Sequence, residues 1–281
     1  MFAHDVAPGL QAGIFRIHTD VVIFCLVLAW GYYLLNDKLN IQPSSRQKFT
    51  FYSAIALLWV MSDWPFHDIA EDSSYSIHMI QHLSYTFIFA PMVLLGVHKD
   101  LLNRILTVTR MKKIVFHLRK FLPALFINNI ILVAVHWPTV VNGTIENGFF
   151  HFVMHIVMIM SSLLIWLPIV SPMKEHRYRP SVQMVYLFGQ SVLPTIPASF
   201  LTFSKTAFYE GYFGKEHIWG IDTLTDQLLA GLIMKLIGGM ILWGFIVIIF
   251  FRWYGYHEKM SKKNLAKAPT RNIVKEDIKI S

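Results

Sequence analysis

Seven apolar blocks of about 20 residues, separated by short polar stretches, are the feature that most constrains the fold of this chain. At about 1.5 Å of rise per residue, one such helical block crosses the roughly 30 Å hydrocarbon core of a bilayer. Within that core the backbone must satisfy its own hydrogen bonds, which a helix does. We therefore predict an all-α polytopic membrane helix bundle with seven transmembrane spans, at residues 19–36, 48–64, 77–97, 119–137, 149–170, 182–204 and 226–251.

The composition agrees with a membrane protein. Hydrophobic residues make up 54% of the chain and charged residues only 15%, against about 25% charged residues in soluble domains. Residues 1–251 are predicted to form one seven-helix domain. The basic, polar segment 252–281 is expected to be a disordered tail. Cys25 is the only cysteine and lies in an apolar block, which excludes disulfides and CxxC metal motifs.

The basic residues predict the orientation of the spans. One set of alternating loops, with the tail, contains 21 Lys and Arg residues, and the other set contains three; Lys235 inside the last span completes the 25. Loops rich in Lys and Arg stay in the cytoplasm, so we predict an outside N-terminus and a cytoplasmic C-terminus. Because the net charge of +8 is divided among loops rather than gathered on one face, it indicates a lipid bilayer and not nucleic acid as the partner.

On this topology nine of the 13 histidines fall on the outer side. Two pairs, His78/His82 and His151/His155, have an i,i+4 spacing that places both imidazoles on one helix face. Spans 3 and 5 run in the same direction, so both pairs lie at one depth, and His136 ends span 4 at that depth. His67 lies in the loop after span 2. Ionisable residues within spans are costly and usually functional. These residues therefore predict a metal or haem site just below the outer surface.

Neighbouring methionines favour Cu(I) as the metal. Met79, Met154 and Met158 accompany the two pairs, and Met158 follows His151 by seven residues on the same helix face. Thioether sulfur combined with imidazole suits Cu(I), although ordinary helix packing explains such methionines equally well. Four acidic residues of the adjacent outer loop are candidates to orient the imidazoles or to collect cations: Asp63, Asp68, Glu71 and Asp72.

Prolines and polar residues in the later spans indicate an interior. Pro91, Pro194 and Pro197 each remove a backbone hydrogen bond, which predicts kinked helices in spans 3 and 6. Asp226 opens span 7, and Lys235 lies about two turns deeper, where it is expected to snorkel or to pair with Asp226.

Four segments occur in order: SIHMIQHLSYTFIFAPMVLLG, HW, FFHFVMH and DQLLAGLIMKLIGG. Together they resemble the CtaG family of cytochrome c oxidase assembly factors, of the polytopic kind associated with caa-type oxidases. The resemblance covers roughly residues 20–250. It implies a bacterial or archaeal cell-membrane protein that acts in respiratory chain biogenesis, as a metallochaperone that supplies copper to subunit I or II of a haem-copper oxidase. His78, His82, His151 and His155 carry over as the histidines of interest, with Asp226 as a helper.

The function predicted is therefore oxidase assembly with copper bound at the outer histidines, and no enzymatic activity is expected. Two alternatives stay open. One is a membrane redox protein, in which one histidine each from spans 3 and 5 binds a b-type haem axially. The other is a copper transporter. The sequence does not determine the oligomeric state.

Overall fold

A computed structural model describes residues 18–214 and 220–267. Within these ranges the regular structure is helical, with thirteen α-helices and no strand. The helices are α1 (Thr19–Lys38), α2 (Ser45–Ser62), α3 (Phe66–Asp72), α4 (Tyr75–Ser84), α5 (Ala90–Gly96), α6 (Lys99–Val108), α7 (Lys112–Leu118), α8 (Phe121–Val135), α9 (Pro138–Glu146), α10 (Gly148–Val170), α11 (Pro180–Val192), α12 (Thr195–Thr202) and α13 (Thr223–Lys267).

The predicted membrane helix bundle is confirmed. Five helical segments of the described chain are long and apolar enough to cross a bilayer: Thr19–Lys38, Tyr75–Gly96, Gly148–Val170, Pro180–Thr202 and Thr223–Asn264. A sixth is reached if α7 and α8, bent by 89° to each other, form one span. Helix α2 lies where span 2 was predicted, but its N-terminal turns are polar. The count of seven and the orientation stay predictions.

The proline in span 3 sits at the end of a widened turn rather than at a sharp kink. A π-helical segment, Tyr85–Phe89, joins α4 to α5, and Pro91 follows it directly. Trp166 of α10 donates a 2.6 Å hydrogen bond to the carbonyl of Thr86 in that segment. A neighbouring helix thus partners a backbone group within the irregular segment, as a membrane interior requires.

Span 6 is interrupted at its prolines, as predicted. Helix α11 ends at Val192 and α12 begins at Thr195, so the break lies beside Pro194. Helix α13 packs against both halves. Gly231 permits this approach, because a Cβ there would lie 2.6 Å from Oγ1 of Thr202 and 3.0 Å from the Ala198 carbonyl oxygen.

Part of the segment expected to be a disordered tail is helical in the structure. Helix α13 continues to Lys267, so residues 252–267 are helical where disorder was expected. Good helix formers occupy eight of the ten positions 258–267, Pro269 comes only after them, and Lys262 forms a 2.8 Å i,i+4 ion pair with Glu258. Residues 268–281 lie outside the described ranges. The piece Leu101–Leu106 lies within the amphipathic helix α6 and buries both of those leucines.

The two histidine pairs lie on α4 and α10, which pack inside the bundle. Helix α4 packs between α3 and α13, and α10 packs against α5, α8 and α9. Large apolar side chains such as Trp30, Phe49 and Phe200 point outward, with exposed fractions of 62%, 75% and 70%. This outer surface suits lipid contact, whereas α4 and α10 bring their histidines inside.

Candidate metal centre

The first histidine pair lies on α4, one turn apart. His78 and His82 are 8% and 7% exposed, and their ring centroids are 4.2 Å apart. The N-terminus of α4 is held by Asp226 of α13. Its carboxylate accepts hydrogen bonds from Ser74 Oγ at 3.0 Å, from the backbone N of Tyr75 at 2.5 Å and from the hydroxyl of Ser76. This buried cap fixes the depth of the α4 pair.

The second pair lies on α10, near its N-terminal end. Asn147 caps this helix by accepting a 3.0 Å hydrogen bond from the backbone N of Phe150. His151 and His155 then follow on one face, with their Nε2 atoms 2.9 Å apart. The two α10 imidazoles are therefore hydrogen-bonded to each other.

The two helices bring the pairs together. The His155 ring lies 5.3 Å from that of His82 and 5.9 Å from that of His78, between centroids. His78, His82 and His155 each offer a nitrogen, and these three nitrogens lie within 4.8 Å of one another. Three nitrogens bound to one ion at about 2 Å lie roughly 3.4 Å apart. The three nitrogens of this trihistidine cluster are therefore close enough that small side-chain rotations would bring them to the spacing of ligands around one ion.

The α4 nitrogens lack hydrogen-bond partners among the described residues. They are Nδ1 of His78 and both ring nitrogens of His82, all buried. Buried polar groups are nearly always paired, and each exception calls for an explanation such as an ion. Three unpartnered nitrogen atoms beside a third imidazole fit a metal ion well.

His136 lies at the C-terminal end of α8, with its ring centroid 5.4 Å from that of His82. Its Nδ1 lies 2.7 Å from the Leu132 carbonyl oxygen. Because a carbonyl only accepts, Nδ1 carries the proton, and a neutral ring then keeps its lone pair on Nε2. That Nε2 is buried without a hydrogen-bond partner in the described chain. His136 is thus set up as a ligand next to the trihistidine cluster.

His67 and Glu71, one turn apart on α3, form a rim at the entrance to the cluster. Glu71 Oε1 lies 2.5 Å from Nδ1 of His151 and 3.2 Å from Nε2 of His67. Burial alone would raise the pKa of Glu71, but His67 and the hydrogen bond from His151 lower it well below its ordinary value. Burial lowers the pKa of His67 despite the nearby carboxylate. The rim thus combines an ionised carboxylate with a neutral imidazole.

The imidazoles form a continuous series from the rim inward. His18 contacts His67 at 5.2 Å between centroids, and His67 contacts His151 at 5.7 Å. The series continues through the trihistidine cluster to His136. The outermost ring, His18, also bonds Asp68 at 2.6 Å. The structure therefore brings all six predicted ligands into one series and adds His18. His4 and His217 lie outside the described residues.

Two predicted details of span 7 are placed differently. Asp226 caps α4 and is 1% exposed, so it does not pair with Lys235. Lys235 Nζ lies instead 5.8 Å from the Phe203 ring centroid, in an open apolar groove between α12 and α13. The hydroxyls of Ser74 and Ser76 and the backbone N–H of Tyr75 donate to the Asp226 carboxylate, whereas Lys235 lies about two turns farther along α13.

Sequence reasoning missed Gln81 and Met234. Gln81 is 1% exposed and donates to the Met61 carbonyl at 2.6 Å and to the Tyr85 hydroxyl at 3.1 Å; its Nε2 also lies 3.3 Å from His67 Nδ1. Gln81 directly precedes His82 in the sequence, and this adjacency could have indicated that it lies at the site. Met234 is 5% exposed and lines a small cavity beside His82 and His136. It lies far from both pairs in the sequence.

A family comparison agrees with the order of these elements. The model of the Caa3_CtaG family, cytochrome c oxidase caa3 assembly factors, matches residues 26–255. The chain belongs to this family. As a CtaG-family member it is a multi-pass membrane protein of cytochrome c oxidase assembly, with an oxidase as its partner. The matched range contains the rim, both histidine pairs and Asp226. No curated protein and no solved structure is significantly similar to the chain.

Proposed function

We propose that this assembly factor binds Cu(I) at the trihistidine cluster and supplies it to a haem-copper oxidase, at subunit I or II. The observation that carries the proposal is the convergence of His78, His82 and His155 within 4.8 Å, together with the unpartnered nitrogens of the α4 pair. Three neutral imidazoles in a buried setting suit Cu(I), which tolerates low coordination and soft surroundings.

The rim supports a route for the ion. Glu71 sits between His67 and His151, and His151 in turn contacts His155. A carboxylate at the entrance attracts cations, and the neighbouring imidazoles offer successive ligands toward the trihistidine cluster. Glu71 also orients His151, because a carboxylate accepts from Nδ1–H and so leaves the lone pair on Nε2.

The dimensions of the site favour an ion over a haem. The cavity beside the histidines has a volume of about 30 Å³, whereas pockets for larger ligands measure roughly 300–1,000 Å³. A porphyrin placed between α4 and α10 would separate rings that now lie 5.3 Å apart.

Deletion of the gene tests the function. Oxidase subunits should be made and inserted but should have low activity at limiting copper, and added copper should restore part of that activity by mass action. A second copper enzyme in the same strain should be unaffected. Complementation with His82→Ala should fail, whereas His117→Ala, an exposed histidine of α7, should complement fully.

Each alternative gives a different outcome. A copper transporter predicts that all copper enzymes fail together. A haem protein predicts a visible haem absorbance in the purified chain and no rescue by copper. Normal oxidase activity in the deletion strain at limiting copper would overturn the proposal.

A further inference from the structure

A small cavity lies beside His82 and His136, among α4, α8, α10 and α13. Its volume is about 30 Å³, and its lining includes His82, His136 and the thioether side chains of Met79, Met158 and Met234. The three methionines are 1%, 6% and 5% exposed. Three separate helices therefore each contribute one buried methionine to the lining of this cavity, beside two histidines.

The polar hydroxyl and amide groups of this cavity already have partners. Ser161 Oγ donates to the Met158 carbonyl at 2.8 Å and lies 3.3 Å from Asn128 Oδ1. Thr86 Oγ1 accepts a 3.2 Å hydrogen bond from the hydroxyl of Ser162. The donor atoms left over are nitrogen and sulfur: Nε2 of His136, one ring nitrogen of His82 and the thioethers.

The size and the donors of the cavity select the occupant. A cavity of this volume holds about one water molecule or one ion. A water there would find partners in His82 and His136 but not in the thioethers, which are weak acceptors. The thioethers are the donors that favour Cu(I), because Zn²⁺ takes imidazole, thiolate or carboxylate and Mg²⁺ takes oxygen ligands.

We propose that this cavity is a second Cu(I) position, formed by His82, His136 and the thioethers of Met79, Met158 and Met234. The inference rests on the proposed copper function and adds an inner position to it. Both positions use His82, so one chain holds the ion in one position or the other. Moving inward exchanges His78 and His155 for His136 and sulfur ligands. The ion stays Cu(I), the imidazoles stay neutral, and no electron or proton is transferred.

X-ray absorption at the copper edge tests the inner position. The purified full-length protein, loaded anaerobically with Cu(I), should show both nitrogen and sulfur ligands. The triple variant Met79→Leu/Met158→Leu/Met234→Leu should lose the sulfur signal and bind Cu(I) at least about tenfold more weakly, the lower end of losses seen when a metal site loses supporting groups. Leucine conserves the volume of methionine, so the fold should survive.

A matched triple variant provides the control. Met92→Leu, Met160→Leu and Met240→Leu change three methionines that do not line the cavity, and Met160 and Met240 are 60% and 65% exposed. This variant should keep the sulfur signal and the affinity. Wild-type Cu(I) with nitrogen ligands alone, or a sulfur signal that persists in the first variant, would overturn the inner position while leaving oxidase assembly intact. Failure of the wild-type chain to bind Cu(I) would overturn both.

Discussion

The two histidine pairs share one spacing and lie at one end of the bundle, but their surroundings differ. The α10 pair is hydrogen-bonded, since His151 contacts Glu71 at 2.5 Å and His155 at 2.9 Å. In the α4 pair, three of the four ring nitrogens have no hydrogen-bond partner in the described chain. The same i,i+4 spacing therefore leads to different hydrogen-bonding environments in the two pairs. Under the proposed function, the α10 pair would connect the rim to the interior, and the α4 pair would supply ligands whose cost of burial a bound ion offsets.

The proposed direction of copper entry depends on which side of the membrane the rim faces. A reporter active only outside should work when fused after Asp68 or Asn142 and should be silent after Lys113 or Arg177, an all-or-none difference. The physical reason is the excess of Lys and Arg in the set of loops that contains Lys113 and Arg177. Activity at Lys113 would place the rim in the cytoplasm and reverse the proposed direction of copper entry.

Replacing His82 should have the largest effect on copper binding. His82→Leu should abolish Cu(I) binding to the purified protein, because both proposed positions use this ring. The metal-free variant should be as stable as the wild type or more stable, since an unsatisfied buried polar group costs about 1–3 kcal/mol. Copper analysis and thermal unfolding measure the two effects.

The His151→Ala variant should retain part of the copper that the wild type binds. His151 links Glu71 to His155, and its loss leaves the three histidines of the trihistidine cluster in place. His117→Ala and His257→Ala, both exposed, should bind copper as the wild type does. Equal losses in His82→Leu and His151→Ala would remove the distinction between the two pairs.

Asp226 should matter for the α4 pair through position rather than ligation. Asp226→Asn removes a buried charge that accepts from Ser74, Tyr75 and Ser76, and we expect a loss of about 2 kcal/mol in the free energy of unfolding. Copper affinity should fall with it, because α4 is no longer held at its depth. Thermal unfolding in detergent and Cu(I) titration measure both quantities.

Asp222→Asn is the matched control for this effect. Asp222 is exposed and caps the start of α13 by accepting from the backbone N of Thr225 at 2.9 Å. Asparagine caps a helix equally well, so stability and copper affinity should not change. Equal destabilisation by the two substitutions would mean that the Asp226 cap has no special role.

Glu71 should have the smallest effect of the series. Glu71→Gln keeps the shape of the side chain but removes the charge that orients His151 and His67, and we expect Cu(I) affinity to fall by about tenfold. The exposed Glu146→Gln, at the end of α9, should have no effect. A loss as complete as that of His82→Leu would make Glu71 a ligand rather than an orienting group.

Much of the architecture follows from the sequence alone. The apolar blocks predict the membrane bundle, because a chain of this hydropathy has no other way to satisfy its backbone in lipid. The i,i+4 spacing predicts which histidines share a face, since helix geometry is local. The motifs of spans 3, 5 and 7 indicate the family, which the match over residues 26–255 confirms.

The tertiary structure decided the partners of these residues. The spacing of the two pairs is the same, so only packing determines that Glu71 satisfies the α10 pair and that the α4 nitrogens stay unpaired. Asp226 lies 150 residues from Ser76 in sequence, and Met234 approaches His82 from the far end of the chain. Contacts between distant segments depend on how helices cross and on which side chains fit, and neither is encoded in the period of any one helix.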